Sequence, residues 1–332
     1  MSPNCDWLSN KTLDRFKRLL PVEWLHDTHV LSRSMIVLMG LRTETYQAPK
    51  LMPTSIDHII ITVPDLARAT ADYSQLLGRS PSWRGAHPDY GTANALFKLE
   101  NTYIELLAVQ GEGMAADIVT ANLESRGSSL GGIVVGTDSA EDFINHARDA
   151  GLAASDPIPG HGVDEITGAV RHWRNIFWDP AAARGVFSFC IEHDPGSSLP
   201  EATPTGEGPI TAVDHVVVRT QSADAAKRFY GDQLGIRLAL EQDVPDWGGT
   251  QLFFRASSMS IEVIASEKAP EEDELWGLAF KTDTLEQTHQ RLRAEGITVS
   301  DIREGRKPGT RVCTIKSHTL DVPTLLIEHP SH

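Results

Sequence analysis

The sequence predicts an α+β protein built from four strand–helix–three-strand units, two in each half of the chain. Three observations carry that expectation. The β-branched run Ile56–Val63 (IDHIIITV) contains His58, and Glu105, in the run YIELL, follows it by 47 residues. The run Val213–Thr220 (VDHVVVRT) contains His215, and Glu262, in SIEVI, follows by the same 47, so each pair is offset from its copy by 157. Between them, Tyr73, Leu77 and Gly78 match Tyr230, Leu234 and Gly235 at that offset. Short runs rich in Val and Ile favour strands, and a glycine after an apolar helical stripe favours a helix stop.

Taken in order, residues 1–54 stand outside the repeat. Leu13, Phe16, Leu19 and Leu20 fall at helical spacing and Pro21 closes the segment. It reads as an extension, either poorly ordered or preceding a true start at Met52. Residues 55–194 form the first half. A strand leads into a helix over 65–77, with Leu66, Ala69, Tyr73 and Leu76 on one face, and three strands follow. The second unit has GIVVGT at 132–137, a helix through Phe143, Ile144 and Ala147 to Gly151, and a last strand ending Ile191-Glu192-His193. Residues 195–210 are rich in Pro, Gly and Ser without periodicity and read as a linker. Residues 211–330 repeat the plan, with a helix over 222–234, then GLAFKT at 277–282, a helix through Leu285, Thr288 and Leu292 to Gly296, and Ile327-Glu328-His329.

At 332 residues with 40% hydrophobic and 23% charged residues, the chain has the composition of a globular protein large enough for two cores. The net charge of −15 disfavours nucleic acid and anionic membrane surfaces as partners, since such a field repels phosphate. The expected partner is a small-molecule substrate, with the chain a monomer or homodimer. Cys5, Cys190 and Cys313 include no CxxC and make no disulfide framework, so a cytoplasmic setting is expected. The run Met35–Leu41 is too short to span a bilayer. No GxGxxG, P-loop or GxSxG motif supports hydride transfer, phosphoryl transfer or serine hydrolysis.

The repeated His and Glu are the candidate chemistry. Imidazole nitrogen and carboxylate oxygen from neighbouring strands suit a divalent Fe, Mn, Ni, Co or Zn ion. The plain alternative is a buried histidine satisfied by a carboxylate. His87 is a candidate base or further ligand. Asn94 and Gln251 are candidates for orienting a substrate oxygen. Arg171, Trp173 and Arg174, with Arg306, Lys307 and Arg311, are candidates for a cationic pocket edge, Arg171 and Arg311 as substrate-binding residues, with a solvated strand face as the plain alternative. Trp83, Tyr90, Trp247 and Trp276 add aromatic surface. His193 and His329, one residue beyond each glutamate, are expected on the opposite face as solvent-exposed caps.

With DH in the first strand and IEL or IEV in the last, these units resemble the vicinal oxygen chelate superfamily over about residues 55–329. The stretch HPDYGTANALF…YIELLAV is most similar to its glyoxalase-like group. The resemblance implies that two units pair into an open cup of eight strands, giving two glyoxalase-like open barrels with a metal inside. It implies a metal set of His58, Glu105 and Glu192 with the position of Gly132, and of His215, Glu262 and Glu328 with the position of Gly277. It also implies a lyase or isomerase in which the metal chelates vicinal oxygens and Glu105 or Glu192 moves a proton. Two further activities in the group are extradiol ring cleavage, which requires two histidines and a glutamate, and non-catalytic binding of a small molecule.

Overall fold

The computed structural model describes residues 55–244 and 248–330. The helical pattern before residue 55, and Asp246 and Trp247, lie outside the described residues. The first half contains β1 (Ser55–Thr62), α1 (Leu66–Leu77), β2 (Trp83–His87), β3 (Thr92–Lys98), β4 (Tyr103–Val109), α2 (Met114–Arg126), β5 (Ser129–Gly136), α3 (Ala140–Asp149), β6 (Ile158–Asp164), β7 (Val170–Ile176) and β8 (Ser188–His193). The second half contains β9 (Ala212–Thr220), α4 (Ala223–Ala226, continued as a π-helix over Lys227–Gln233), β10 (Arg237–Val244), β11 (Gly249–Ala256), β12 (Met259–Ala265), β13 (Glu274–Lys281), α5 (Leu285–Ala294), β14 (Arg303–Glu304), β15 (Arg311–Ile315) and β16 (Thr324–Glu328).

The helices begin and end where local chemistry directs. Asp65, Ser139 and Ser222 cap α1, α3 and α4 by accepting a backbone N–H three residues on. Gly78 ends α1 with φ of 65°, a conformation in which a Cβ is strained. The inward stripe of α1, Ala69, Tyr73, Leu76 and Leu77, is fully buried against the sheet. Each large side chain buried there stabilises the fold by on the order of 2 kcal/mol relative to exposure. Helix α2 was not expected. It buries only Ala116 and Val119 and has no side-chain cap, so its periodic signal is faint.

In each half the first strand is parallel to the fourth and antiparallel to the fifth. Units one and two therefore pair, as do three and four. The first sheet closes into a barrel in the order β1-β4-β3-β2-β6-β7-β8-β5, whereas the second stays an open eight-stranded sheet, β10-β11-β12-β9-β13-β16-β15-β14. Both had been expected open. Closure comes from β2 pairing with β6 at Gly85–Asp164 and Ala86–Val163, reinforced where Asp164 accepts the Arg84 backbone N–H. In the second half β14 is only two residues long, too short to complete a seam.

Residues 195–210 do not run free. The backbone N–H groups of Ser80 and Thr205 donate to the carbonyls of Thr203 and Gly78, and Leu199 packs with Trp83, Leu96 and Tyr103 of the first barrel. Arg291, from α5, donates to the carbonyls of Gln75, Leu76 and Gly208, satisfying the open end of α1 from the other half. No described helix is long and apolar enough to cross a membrane.

Candidate active site

Strand alternation places the candidate residues. His58, Ile60 and Thr62 on β1, and Tyr103, Glu105 and Leu107 on β4, face into the first barrel, while Ile59, Ile61, Ile104 and Leu106 pack under the helices. His58 Nε2 lies 3.2 Å from Glu105 Oε2, and its Nδ1 lies 2.6 Å from Asp57 Oδ1. Glu105 Oε1 accepts from the Asn94 amide at 2.7 Å. That same amide nitrogen is 3.4 Å from His87 Nε2, and His87 Nδ1 contacts Thr92 Oγ1 at 3.1 Å. His58, Glu105 and Asn94 are all buried. Four of the expected site residues thus form one connected set.

Asp57 and His58 are consecutive yet both reach inward groups, because Asp57 is the unpaired residue of a β-bulge between Ile56 and His58. Asp214 occupies the same kind of bulge beside His215. These aspartates were absent from the sequence-based site, although the repeated DH dipeptide marks them. They also correct the reading of His193 and His329 as solvent-exposed caps. Both are half-buried, and their Nε2 atoms lie 2.9 Å from Asp57 Oδ2 and 2.5 Å from Asp214 Oδ1.

Burial alone would strip His58 of its proton, but hydrogen bonds to Asp57 and Glu105 outweigh it and hold the imidazole up to about 9. Burial likewise opposes the charge on Glu105, yet the bond to His58 keeps its carboxyl below the usual range. Asp57 is held lower still by His193 and His58 against its burial. His87 is pushed down by burial, with Glu105 opposing, which favours the neutral imidazole. One site therefore carries two histidines whose protonation is driven apart.

These shifts set a pH dependence of stability. The stabilisation from His58 is fully present below its ordinary value of 6.5 and is lost as pH rises through about 9. That from Asp57 and Glu105 is present above the ordinary carboxylate range and is lost as pH falls through their lowered values. The urea midpoint is expected to be highest between those limits and to fall from pH 6.5 to 9, a fall that His58→Gln diminishes.

The second half repeats the core of the set. His215 Nε2 lies 3.0 Å from Glu262 Oε2 and its Nδ1 lies 2.7 Å from Asp214. Gln251 donates to Glu262, as Asn94 does to Glu105. His215 is likewise raised, to about 9, by Asp214 and Glu262 against burial. Arg306 sits near enough to help lower Glu262. At the 157-residue offset from His87, however, stands Val244, so this set has no equivalent second histidine.

Glu192 and Glu328 are not with these groups. They point to the helix face of the sheets, where each accepts the backbone N–H at the start of a helix, Ala140 for Glu192 and Leu285 for Glu328. Arg174 bridges Glu192 to Glu141, and Arg311 bridges Glu328 to Glu286. Arg174 and Arg311 therefore brace helices and do not edge a pocket, and Lys307 is exposed on a turn. Glu192, Glu328 and Arg311 leave the site as corrections. Arg171 and Trp173 do face the barrel, Trp173 edge-on to His87 at 6.3 Å.

The strand registers give the positions a metal would use. Glu105 pairs with Ile60, two residues after His58. Two residues after Gly132, Val134 pairs with Phe189; two after Gly277, Ala279 pairs with Leu325. Each half thus offers one His and one Glu, with Gly and Phe or Gly and Leu in the other two places. Among the described residues no group of three or more His, Cys, Asp or Glu side chains is arranged to hold a metal. The donor set does not fit the implied ion.

A glyoxalase-like domain model matches residues 56–212, and a glyoxalase/bleomycin resistance protein/dioxygenase superfamily model matches residues 214–314. An ethylmalonyl-CoA/methylmalonyl-CoA epimerase of Cereibacter sphaeroides is 41% identical over 111 residues, covering 33% of this chain and 78% of the epimerase. The chain belongs to the glyoxalase/bleomycin resistance/dioxygenase superfamily. As a member of this vicinal oxygen chelate group it shares its fold with distant structures. A mutant of 4-hydroxymandelate synthase from Streptomyces coelicolor aligns at TM-score 0.61 and 14% identity, over 85% of this chain and 94% of the synthase. A hypothetical protein from Staphylococcus aureus aligns at 0.58 and 14%, over 84% of this chain and 100% of its own.

Proposed function

We propose that this superfamily member is a glyoxalase-like isomerase or lyase that moves a proton at a carbon next to a carbonyl of a small oxygenated substrate, and that it does so in the first barrel. The observation that carries this reading is Glu105 held between cationic His58 and the Asn94 amide, with neutral His87 beyond. The carboxylate of Glu105 takes the proton as the C–H electron pair forms a carbon–carbon double bond and the carbonyl π pair moves onto the oxygen; return of a proton to that carbon re-forms the carbonyl. The His58 N–H, kept charged by Asp57, turns to that oxygen and stabilises the developing enolate. Asn94 fixes the orientation of Glu105. His87 is a second proton acceptor on the same wall.

Isomerase chemistry of this kind agrees with the relative named as an ethylmalonyl-CoA/methylmalonyl-CoA epimerase. The extradiol reading has less support, because Gly132 and Gly277 stand where its second histidine is required.

The test is hydrogen–deuterium exchange at the central carbon of 2-methylmalonyl thioesters and related 2-substituted acids in D₂O, followed by NMR. Exchange by the wild-type protein that Glu105→Gln removes is expected; exchange that persists in that variant and disappears in Glu262→Gln would move the chemistry to the second sheet. No exchange across the series would refute the proposal. Because Gly132 and Phe189 replace metal donors, exchange is also expected to survive dialysis against a chelator. Its loss on chelation and return with one divalent ion would restore the metal-dependent mechanism.

A further inference from the structure

Arg171 is a buried cation that the proton transfer does not use. It is 6% exposed and faces into the first barrel from β7. Its Nε donates to the Ser197 carbonyl at 2.9 Å, and its guanidinium carbon lies 5.6 Å from the Trp83 ring centroid and 6.0 Å from that of Tyr103. Among the described residues no carboxylate pairs with it, and no acceptor takes a hydrogen bond from its two terminal nitrogens. The other largely buried arginines among the described residues differ. Arg79 donates from both terminal nitrogens to the carbonyls of Lys98 and Ile210, and Arg291 to those of Gln75 and Leu76. A buried guanidinium without a counter-charge is costly to fold, so a fork left open inside a barrel calls for an anion.

The surroundings say where that anion would lie. Tyr103 stacks on His58, with ring centroids 4.6 Å apart and planes within 18°. An anion on Arg171 is therefore one aromatic ring away from the His58–Glu105 pair. A carboxylate matches a guanidinium fork in a way that a point charge does not, and the aromatic walls strengthen the pairing by excluding water. Trp83 lies along the strand at Gly85, where a Cβ would collide with its indole nitrogen, so the wall is shaped to keep the ring flat beside the cation.

We propose that Arg171 anchors a carboxylate of the substrate, which makes the substrate a small acid with a free carboxylate beside the carbon that loses its proton. This rests on the reading of the first barrel as the site of proton transfer. Malonate is the probe, with dimethyl malonate as its uncharged counterpart, and binding is read by calorimetry and by tryptophan fluorescence. Wild-type protein is expected to bind malonate saturably and to ignore the ester. Arg171→Gln is expected to weaken malonate by about tenfold or more, and Arg171→Lys, which keeps the charge but loses the fork, by less. Glu105→Gln is expected to bind malonate still. Thermal melting checks that the variants fold, and if Arg171→Gln does not, the lysine variant decides.

The anchor is overturned if malonate does not bind wild-type protein, if the ester binds as well as the acid, or if the Arg171 variants bind malonate as the wild type does. Malonate bound through Arg171 by a protein that exchanges no protons would instead sink the proton-transfer reading and leave the anchor. Exchange whose KM is unmoved in Arg171→Gln would do the reverse.

Discussion

Glu105→Gln is expected to slow proton exchange by about 10³-fold, the usual contribution of a well-placed general base. Glutamine keeps the volume of the side chain and still offers an oxygen to the Asn94 amide, which now contacts Glu105 Oε1 at 2.7 Å. It removes the carboxylate that takes the proton and the negative partner of His58. The expected split is informative. If Glu105 acts as base, kcat falls and KM for the substrate changes little, because the anchoring groups are elsewhere. The matched change in the other half, Glu262→Gln, is expected to leave exchange near wild type, since that sheet lacks the neutral histidine. A Glu105→Gln protein with undiminished kcat would remove Glu105 from the chemistry altogether.

Much of this site was legible in the chain because it is duplicated at a fixed offset. A 47-residue interval between His and Glu, kept twice, goes with one register of first strand on fourth, and the parallel pairings of β1 with β4 and of β9 with β12 share it. Asn94 and Gln251 followed from the same count. Glu192 and Glu328 misled because the IEH ending looks like the IEL ending. The residue that holds Glu105's position in the second unit is Phe189, three positions before Glu192, and an odd shift along a strand reverses the face. Both glutamates recur for a different reason: each draws a helix N-terminus and an arginine to the outer face. The contact between His193 and Asp57 joins residues 136 apart and depends on a β-bulge, a local departure from alternation that hydrophobic patterning does not signal. Closure of the first barrel was equally hidden, since it rests on two residue pairs between β2 and β6.

The duplication also separates structure from chemistry. The unit Asp–His–Glu–amide is present in both halves, buried, with the same bonding order and the same raised histidine. A feature kept in two sheets, only one of which has His87 and Arg171 nearby, serves the fold as well as the reaction. It ties the first strand to the fourth through His–Glu, and to the eighth through Asp–His, across the inside of the sheet.

That dual role makes His58→Leu the substitution with the largest expected effect on stability. Leucine fills most of the space but leaves Glu105, 7% exposed, without its cation, and Asp57 with one histidine, His193, in place of two. Removing one member of a buried ion pair typically costs about 3–5 kcal/mol, most of it the penalty of the charge left behind. The urea midpoint is expected to fall accordingly with an unchanged slope, which marks lost stability and not altered compactness. The double variant His58→Leu/Glu105→Leu should recover much of the loss, because it leaves no unpaired carboxylate at position 105. His215→Leu is expected to cost less, since His215 and Glu262 are more accessible to solvent than their counterparts. If His58→Leu were as stable as the wild type, the pair would contribute nothing to the fold. Its recurrence in the second sheet would then require a ligand there as well.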